Sequence, residues 1–289
     1  MKNINNVLIC GLGAIGSIYA DKIKNAKILV DKQRLKKYQD NPTTFNGKVM
    51  ELDYLLPECK DFKADLIIIA TKYDGLNDAI KNIENFVTED TIIISLLNGV
   101  TSEKRIAEKY GKEKLVYSYF IGHSAVRTGR NITQDGINTI VFDGNKRVKE
   151  FFDRVGINYE IPDDIIRSMW LKFMLNVSSN QTSAILRMTF GQMAENPKCM
   201  EFIINVMKEV QAIAKAEGVQ NTETMIDDAL ISLSKMTPDG KTSMLQDVLA
   251  GRKTEVDMFA GVMIELGEKH NIPTPYNLVL KGLIEANNI

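Results

Sequence analysis

The stretch "WLKFMLNVSSN" (170–180) sets one cation and two amides inside an apolar run. Residues four apart lie nearly above one another on a helix, so Lys172, Asn176 and Asn180 share one stripe. An ammonium buried without a partner is costly, and buried amides require hydrogen bonds. Such a stripe either reaches solvent, with the lysine stem lying on apolar neighbours, or faces a polar ligand. A second constellation lies near the N-terminus. "GLGAIG" (11–16) matches G-x-G-x-x-G through Gly11, Gly13 and Gly16, with Leu12 and Ala14 completing the loop. It follows the strand-like "NVLIC" and opens a helix-like segment, the context in which this pattern binds a dinucleotide. The glycines permit a tight turn, close approach of the backbone to a pyrophosphate and close helix–strand packing, while the helix N-terminus favours the anion.

The next strand-like run, "AKILVD" (26–31), ends in Asp31, about 20 residues beyond the loop, where an acid binds the ribose 2′-hydroxyl of NAD. Lys32 and Arg34 follow at once and could pair with the 2′-phosphate of NADP. NADPH and NADH therefore both have candidate partners, and all three charges could equally be solvated surface.

These residues need elements to hold them. Short β-branched runs alternate with helical patterns through the first half: "NVLIC", "AKILVD", "ADLIIIAT" (64–71), "TIIISLL" (91–97) and "KLVYSYF" (114–120). That alternation predicts βαβ units and a mainly parallel, doubly wound, Rossmann-like sheet covered on both faces. A more irregular β region runs through "NTIVFDG" (138–144), and "INYEIP" (157–162) is the last strand candidate. Beyond it "CMEFIINVMKEVQAIAKAEG" (199–218) and "TEVDMFAGVMIELGEKH" (254–270) carry the helical period. The expectation is an α/β domain over 1–162 followed by an all-α domain over 163–289.

Composition narrows the function. The formal net charge is −1 and no long basic run occurs, so neither nucleic acid nor an anionic membrane is an implied partner. The longest apolar runs are strand-sized, too short to span a bilayer, and the N-terminus lacks a signal-peptide core. Three separated cysteines suit a reducing cytoplasm rather than a disulfide framework. The two histidines, His123 and His270, have no ligand-like spacing, so no metal site is expected. The apolar helical half could support a homodimer.

Along nearly its whole length the chain resembles the ketopantoate reductases (2-dehydropantoate 2-reductases). The resemblance is carried by "GLGAIG", "ATKYD" (70–74), "NG" (98–99), "WLKFMLNVSSNQTSAIL" (170–186) and "SMLQDVLAGRKTEVD" (243–257). It implies hydride transfer from NADPH to the C2 carbonyl of 2-dehydropantoate, a small 2-oxo acid, giving pantoate for coenzyme A synthesis. By similarity Lys172 is the general acid, and Glu255 helps hold the substrate hydroxyl and the lysine. Asn98, Asn176, Asn180 and Ser243 bind substrate polar groups or orient the lysine. Lys72, like Asn98, lies on the coenzyme side, near the nicotinamide. The family usually has an arginine near the position of Asp31, so this chain departs from the pattern for NADPH.

The chemistry suits the residues apart from the family. Hydride addition to a ketone develops negative charge on its oxygen, which a positioned proton donor and hydrogen bonds must neutralise. Desolvation lowers a lysine pKa and a nearby carboxylate opposes the shift, which keeps an ammonium available as an acid. The stripe then reads as one wall of an interdomain cleft. Two alternatives remain: a two-domain dehydrogenase for another 2-oxo or hydroxy acid, and a dinucleotide-binding sensor without catalysis.

Overall fold

The structure is a computed structural model and describes residues 2–122 and 125–287. His123 lies outside the described residues. The chain forms two compact units, Met1–Ile165 and Ile166–Ile289.

The first unit is built on a six-stranded parallel sheet. Its spatial order is Asp53–Leu55, Lys27–Leu29, Val7–Cys10, Leu66–Ile69, Ile92–Ser95, Leu115–Val116. Strands Val7–Cys10, Leu66–Ile69 and Ile92–Ser95 are buried along their whole length, as a sheet covered on both faces requires. Alternate residues feed two cores: Val7, Ile9, Ile28, Ile68 and Ile94 on one face, Leu8, Cys10, Ile67, Ile69 and Ile93 on the other. The sheet grows in both directions from Val7–Cys10. Strand order therefore reverses beside that strand, the place where open α/β sheets bind ligands at their carboxyl ends.

The run 114–120, expected as one strand, is divided. Leu115–Val116 closes the parallel sheet, and Ser118–Gly122 pairs antiparallel with Asn138–Phe142. The break falls at Tyr117. Its N–H donates to the Asp143 carboxylate at 3.2 Å, and its carbonyl accepts from Asp143 N–H at 3.1 Å. A further small sheet joins Val126–Thr128 and Asn131–Thr133, from the irregular β region that follows 114–120, to Thr44–Phe45 and Lys48–Val49, which the sequence patterns did not indicate.

The second unit is helical, with no strand among its described residues. Its spine is the 20-residue helix Pro197–Ala216. Asn196 starts it by accepting from the N–H groups of Lys198 and Cys199, and Pro197 sits at the first helical position, where a missing N–H costs nothing. The buried Glu209 reaches from this spine to accept from Tyr276 N–H at 2.7 Å and Asn277 N–H at 3.1 Å, anchoring the start of helix Pro275–Ala286. At the far end Glu217 pairs with both Lys269 and His270. Among the described residues, no helix is long and apolar enough to cross a membrane.

Candidate active site

In the first unit the candidate coenzyme residues sit beyond the carboxyl ends of the parallel strands. Register places Cys10 beside Leu29 and Ile69, and Ile69 beside Ser95. The segments that leave these levels carry Gly11–Gly16, Asp31, Lys72 and Asn98. Gly11 has φ +103, a conformation that disfavours any side chain. A Cβ there would lie 2.6 Å from the Ala70 carbonyl oxygen, and one on Gly16 would lie 1.8 Å from that of Gly11. These two glycines are demanded by close packing of loop, strand and helix. Gly13 is different: a Cβ there meets nothing within 4 Å. Its lack of a side chain leaves the backbone open.

Gly13 is also the N-cap of helix Ala14–Lys22, whose first turn has no capping side chain and no acidic residue. An uncapped, acid-free helix start beneath open space fits a pyrophosphate. Leu12 is buried at 4% exposure and packs in the sheet's core, while Ala14 is half-buried at the helix start. Burial pushes the thiol pKa of Cys10 far up, so the cysteine that opens the loop stays an inert thiol.

Lys72 is exposed and starts the short turn Tyr73–Gly75. Asn98 is half-buried and precedes Gly99, which has φ +94. Asp31 has a role the sequence reading did not assign. It caps helix Lys32–Asp40, accepting from Arg34 N–H at 2.6 Å. An aspartate directly before a helical segment is a recognised start signal, so this was readable.

In the second unit the stripe runs along a continuous helical rod: helix Ile165–Leu175, a π-helical turn Asn176–Asn180, and helix Gln181–Leu186. Lys172 and Asn176 are half-buried and Asn180 is 7% exposed. The opposite face packs inward, with Trp170 edge-on to Phe173 at 5.6 Å. Both amide hydrogens of Asn180 are used, one toward Asn176 Oδ1 at 3.3 Å and one toward Ser243 Oγ at 3.2 Å. Ser243 opens helix Ser243–Leu249, which Thr242 caps by accepting from Leu245 N–H at 3.1 Å. Thr242 also donates to Ser183 Oγ at 3.2 Å, fastening that helix to the rod.

Glu255 is half-buried just before a second π-helical turn, Asp257–Gly261, and its carbonyl accepts from Met258 and Phe259 N–H. The two π turns pack against each other, and the Phe173 and Phe259 rings lie 6.4 Å apart. The structure therefore joins Asn176, Asn180 and Ser243 in one hydrogen-bonded chain. Lys172 lies one turn before it, and Glu255 at the start of the turn packed on it.

The π turn was not foreseen, although its composition carries a signal. Ser178, Ser179 and Thr182 donate their hydroxyls to the carbonyls of Met174, Leu175 and Ser178, and Gln181 donates its amide to that of Val177, all at 2.6–2.7 Å. Side chains that bond back to carbonyls four residues earlier disturb the α-helical ladder, and π turns recur at functional sites.

Comparison with known proteins identifies the family. The sequence model described as "Ketopantoate reductase PanE/ApbA" matches residues 7–146, and "Ketopantoate reductase PanE/ApbA C terminal" matches residues 164–288. A 2-dehydropantoate 2-reductase of Pyrococcus horikoshii is 30% identical over 78% of this chain and 76% of its own length. The chain belongs to the ketopantoate reductase family. Among solved structures, D-mandelate dehydrogenase with NADH and anilino(oxo)acetate superposes with TM-score 0.83 at 22% identity over 98% of both chains. A dimeric ketopantoate reductase from Staphylococcus aureus gives 0.76 at 21%, over 98% of this chain and 99% of that one. These likenesses establish for the ketopantoate reductase fold what the sheet order had indicated: a doubly wound α/β unit followed by a helical one.

A 380 Å³ cavity elsewhere in the helical unit is lined by Thr182, Cys199, Phe202, Val279 and Leu283 among others, and by none of the candidate site residues.

Proposed function

We propose that this chain is a 2-dehydropantoate 2-reductase: with a reduced nicotinamide coenzyme, NADPH or NADH, it converts the C2 ketone of 2-dehydropantoate to the alcohol of pantoate. The observation that carries this is the polar chain Asn176–Asn180–Ser243 on a π turn of the helix that bears Lys172. Family membership supplies the reaction, and this chain retains the residues that the reaction needs.

Residues 1–162 bind the coenzyme and 163–289 carry substrate chemistry. Gly11, Leu12, Gly13, Ala14 and Gly16 hold the pyrophosphate, Asp31 meets the adenosine ribose, and Lys72 and Asn98 lie toward the nicotinamide. When bound, the reduced nicotinamide supplies the hydride. Lys172 Nζ gives a proton to the substrate oxygen, which would otherwise end as an alkoxide. Asn176 and Ser243 offer hydrogen bonds to the substrate without adding a full charge, and Asn98 does the same from the coenzyme domain. Asn180 holds the first two in place. Glu255 accepts from the substrate 4-hydroxyl and keeps the lysine charged.

The cytoplasm suits three free thiols, two of them buried. The protein assembles as a homodimer through the apolar face of the helical unit, where Leu186, Val279 and Leu283 are exposed around the cavity, in keeping with the dimeric relative. Sedimentation showing only a 32.5 kDa species at micromolar concentration would remove the dimer.

The decisive assay follows loss of reduced-nicotinamide absorbance with a panel of 2-oxo acids. 2-Dehydropantoate should exceed 2-oxobutyrate in kcat/KM by orders of magnitude, because a site built to bond a hydroxyl rejects an analogue that leaves its groups unpaired. Equal efficiency for the two would refute the assignment.

A further inference from the structure

Strand Ile92–Ser95 leads toward Asn98, and a buried run of polar side chains takes hold of the backbone on the way. Leu96 N–H still bonds across the sheet, to the Ile69 carbonyl at 2.9 Å. Leu97 N–H instead turns back to Ser95 Oγ, at 3.4 Å. Ser95 Oγ donates to Ser102 Oγ at 2.9 Å, and Ser102 Oγ donates to the Glu103 carboxylate at 3.0 Å. Ser118 Oγ grips the same residue from the other side, donating to the Ser95 carbonyl at 3.0 Å. Ser95 and Ser118 are fully buried, and Glu103 is 2% exposed.

We infer that Glu103 is a positioning residue: it fixes the direction of the Ser102 and Ser95 hydroxyls and so sets the turn from which Asn98 projects. The inference rests on the proposed role of Asn98 in meeting substrate and nicotinamide. A hydroxyl can donate or accept, whereas an ionised carboxylate only accepts. With Glu103 at the end of the run, Ser102 must give it its one hydrogen and accept from Ser95. Ser95 has then spent its own hydrogen, and its oxygen is left to accept from Leu97 N–H. The run has a single polarity, and Asn98 follows its last member. Burial disfavours a charged carboxylate. Glu103 offsets this by lying in the first turn of helix Ser102–Tyr110, where Thr101 provides no side-chain cap and the helix dipole favours an anion. A glutamine there would lose that preference, and its amide could donate as well as accept.

The test is a double-mutant cycle in steady-state kinetics, with 2-dehydropantoate and the better of NADH and NADPH. Glu103→Gln keeps the size and removes the charge that orders the hydroxyls. Ser102→Ala cuts the run, and is the second variant should the first fold poorly. Each should lower kcat/KM about tenfold or more, the scale of one hydrogen bond to a charged group. In an Asn98→Ala background the same change should matter less than about twofold, because groups that act through one another are not additive. A merely structural role would lower activity by the same factor in both backgrounds. Equal factors therefore overturn the inference, as does parent-like kcat/KM in a folded variant. Loss of the fold in both variants would assign the run to stability and overturn it too. A parent that leaves 2-dehydropantoate unreduced, or an Asn98→Ala variant that matches the parent, is a failure of the proposed function. The inference falls with it, but that result involves neither Glu103 nor Ser102 and is told apart on that ground.

Discussion

Asn180 is the residue whose removal tests whether the polar chain works as a unit. It is 7% exposed and gives one amide hydrogen to Asn176 and the other to Ser243, at 3.3 and 3.2 Å. Asn180→Ala deletes both bonds. Each is neutral and at the long end of the range, so each contributes roughly 0.5–1 kcal/mol net, and the pair about 1–2 kcal/mol. If that energy holds Asn176 and Ser243 toward substrate, kcat/KM for 2-dehydropantoate should fall about 5- to 30-fold. The same loss in the folded state lowers Tm by a few degrees, roughly 2–4 °C per kcal/mol for a chain of this size. A double-mutant cycle with Ser243→Ala separates function from packing. Residues sharing one bond should couple by about 0.5–1.5 kcal/mol in the activation free energy. Steady-state kinetics of the parent, both single variants and the double variant supply the cycle. Parent-like kcat/KM in a folded Asn180→Ala protein, or strict additivity in the cycle, would refute a positioning role and leave Asn180 as a packing residue.

Other predictions follow from single groups. Lys172→Ala should lower kcat by about 10²–10⁴-fold, the usual worth of a general acid, with coenzyme affinity nearly unchanged; a well-folded variant that turns over at the parent rate would exclude Lys172 as proton donor. Glu217 governs part of the acid stability. Burial raises its pKa, but hydrogen bonds from His270 and Lys269 outweigh this and hold it below the ordinary 4.5. A carboxylate depressed in the folded state stabilises above its unfolded pKa and loses that contribution as pH falls through the folded value. Between pH 5 and 3 the parent should therefore lose more stability than Glu217→Gln in urea titrations, and parallel profiles for the two would show that the pair adds nothing.

Much of the fold could be read because its signals are local. The β-branched runs at 7–10, 66–69 and 92–95 and the glycines after the first announce a parallel sheet and its ligand end within a few residues of each feature. The division of 114–120 was not readable, since it depends on Asp143, which is 26 positions from Tyr117. The hairpin Thr44–Phe45/Lys48–Val49 was readable and went unread. Asn46 and Gly47 between its strands have φ +46 and +80, and Asn-Gly is the preferred pair where both turn residues need positive φ. Asp31 is a case of two signals in one residue. Its place at a strand end suggests a ribose ligand and its place before a helix a cap, and the 2.6 Å bond to Arg34 N–H shows the second.

The candidate site divides in the same way. Four-residue spacing put Lys172, Asn176 and Asn180 on one stripe by assuming a regular α-helix. The rod is not regular there, yet Asn176 and Asn180 still meet. The wider turn stands because Ser178, Ser179, Gln181 and Thr182 donate to backbone carbonyls of the rod. An unsatisfied buried carbonyl would be costly, so these side chains stabilise a geometry that an all-apolar helix could not keep. None of the four is a candidate for contact with substrate. The polarity of "NVSSNQT" thus serves two ends, with the asparagines in the chain proposed to meet substrate and the hydroxyls and glutamine amide supporting the backbone of the turn. Spacing alone cannot tell these apart, because both sets are polar residues on a largely buried helix. The hydrogen-bond partners can: the hydroxyls and the glutamine amide turn back to their own helix, while Asn180 reaches across to Ser243, 63 residues away.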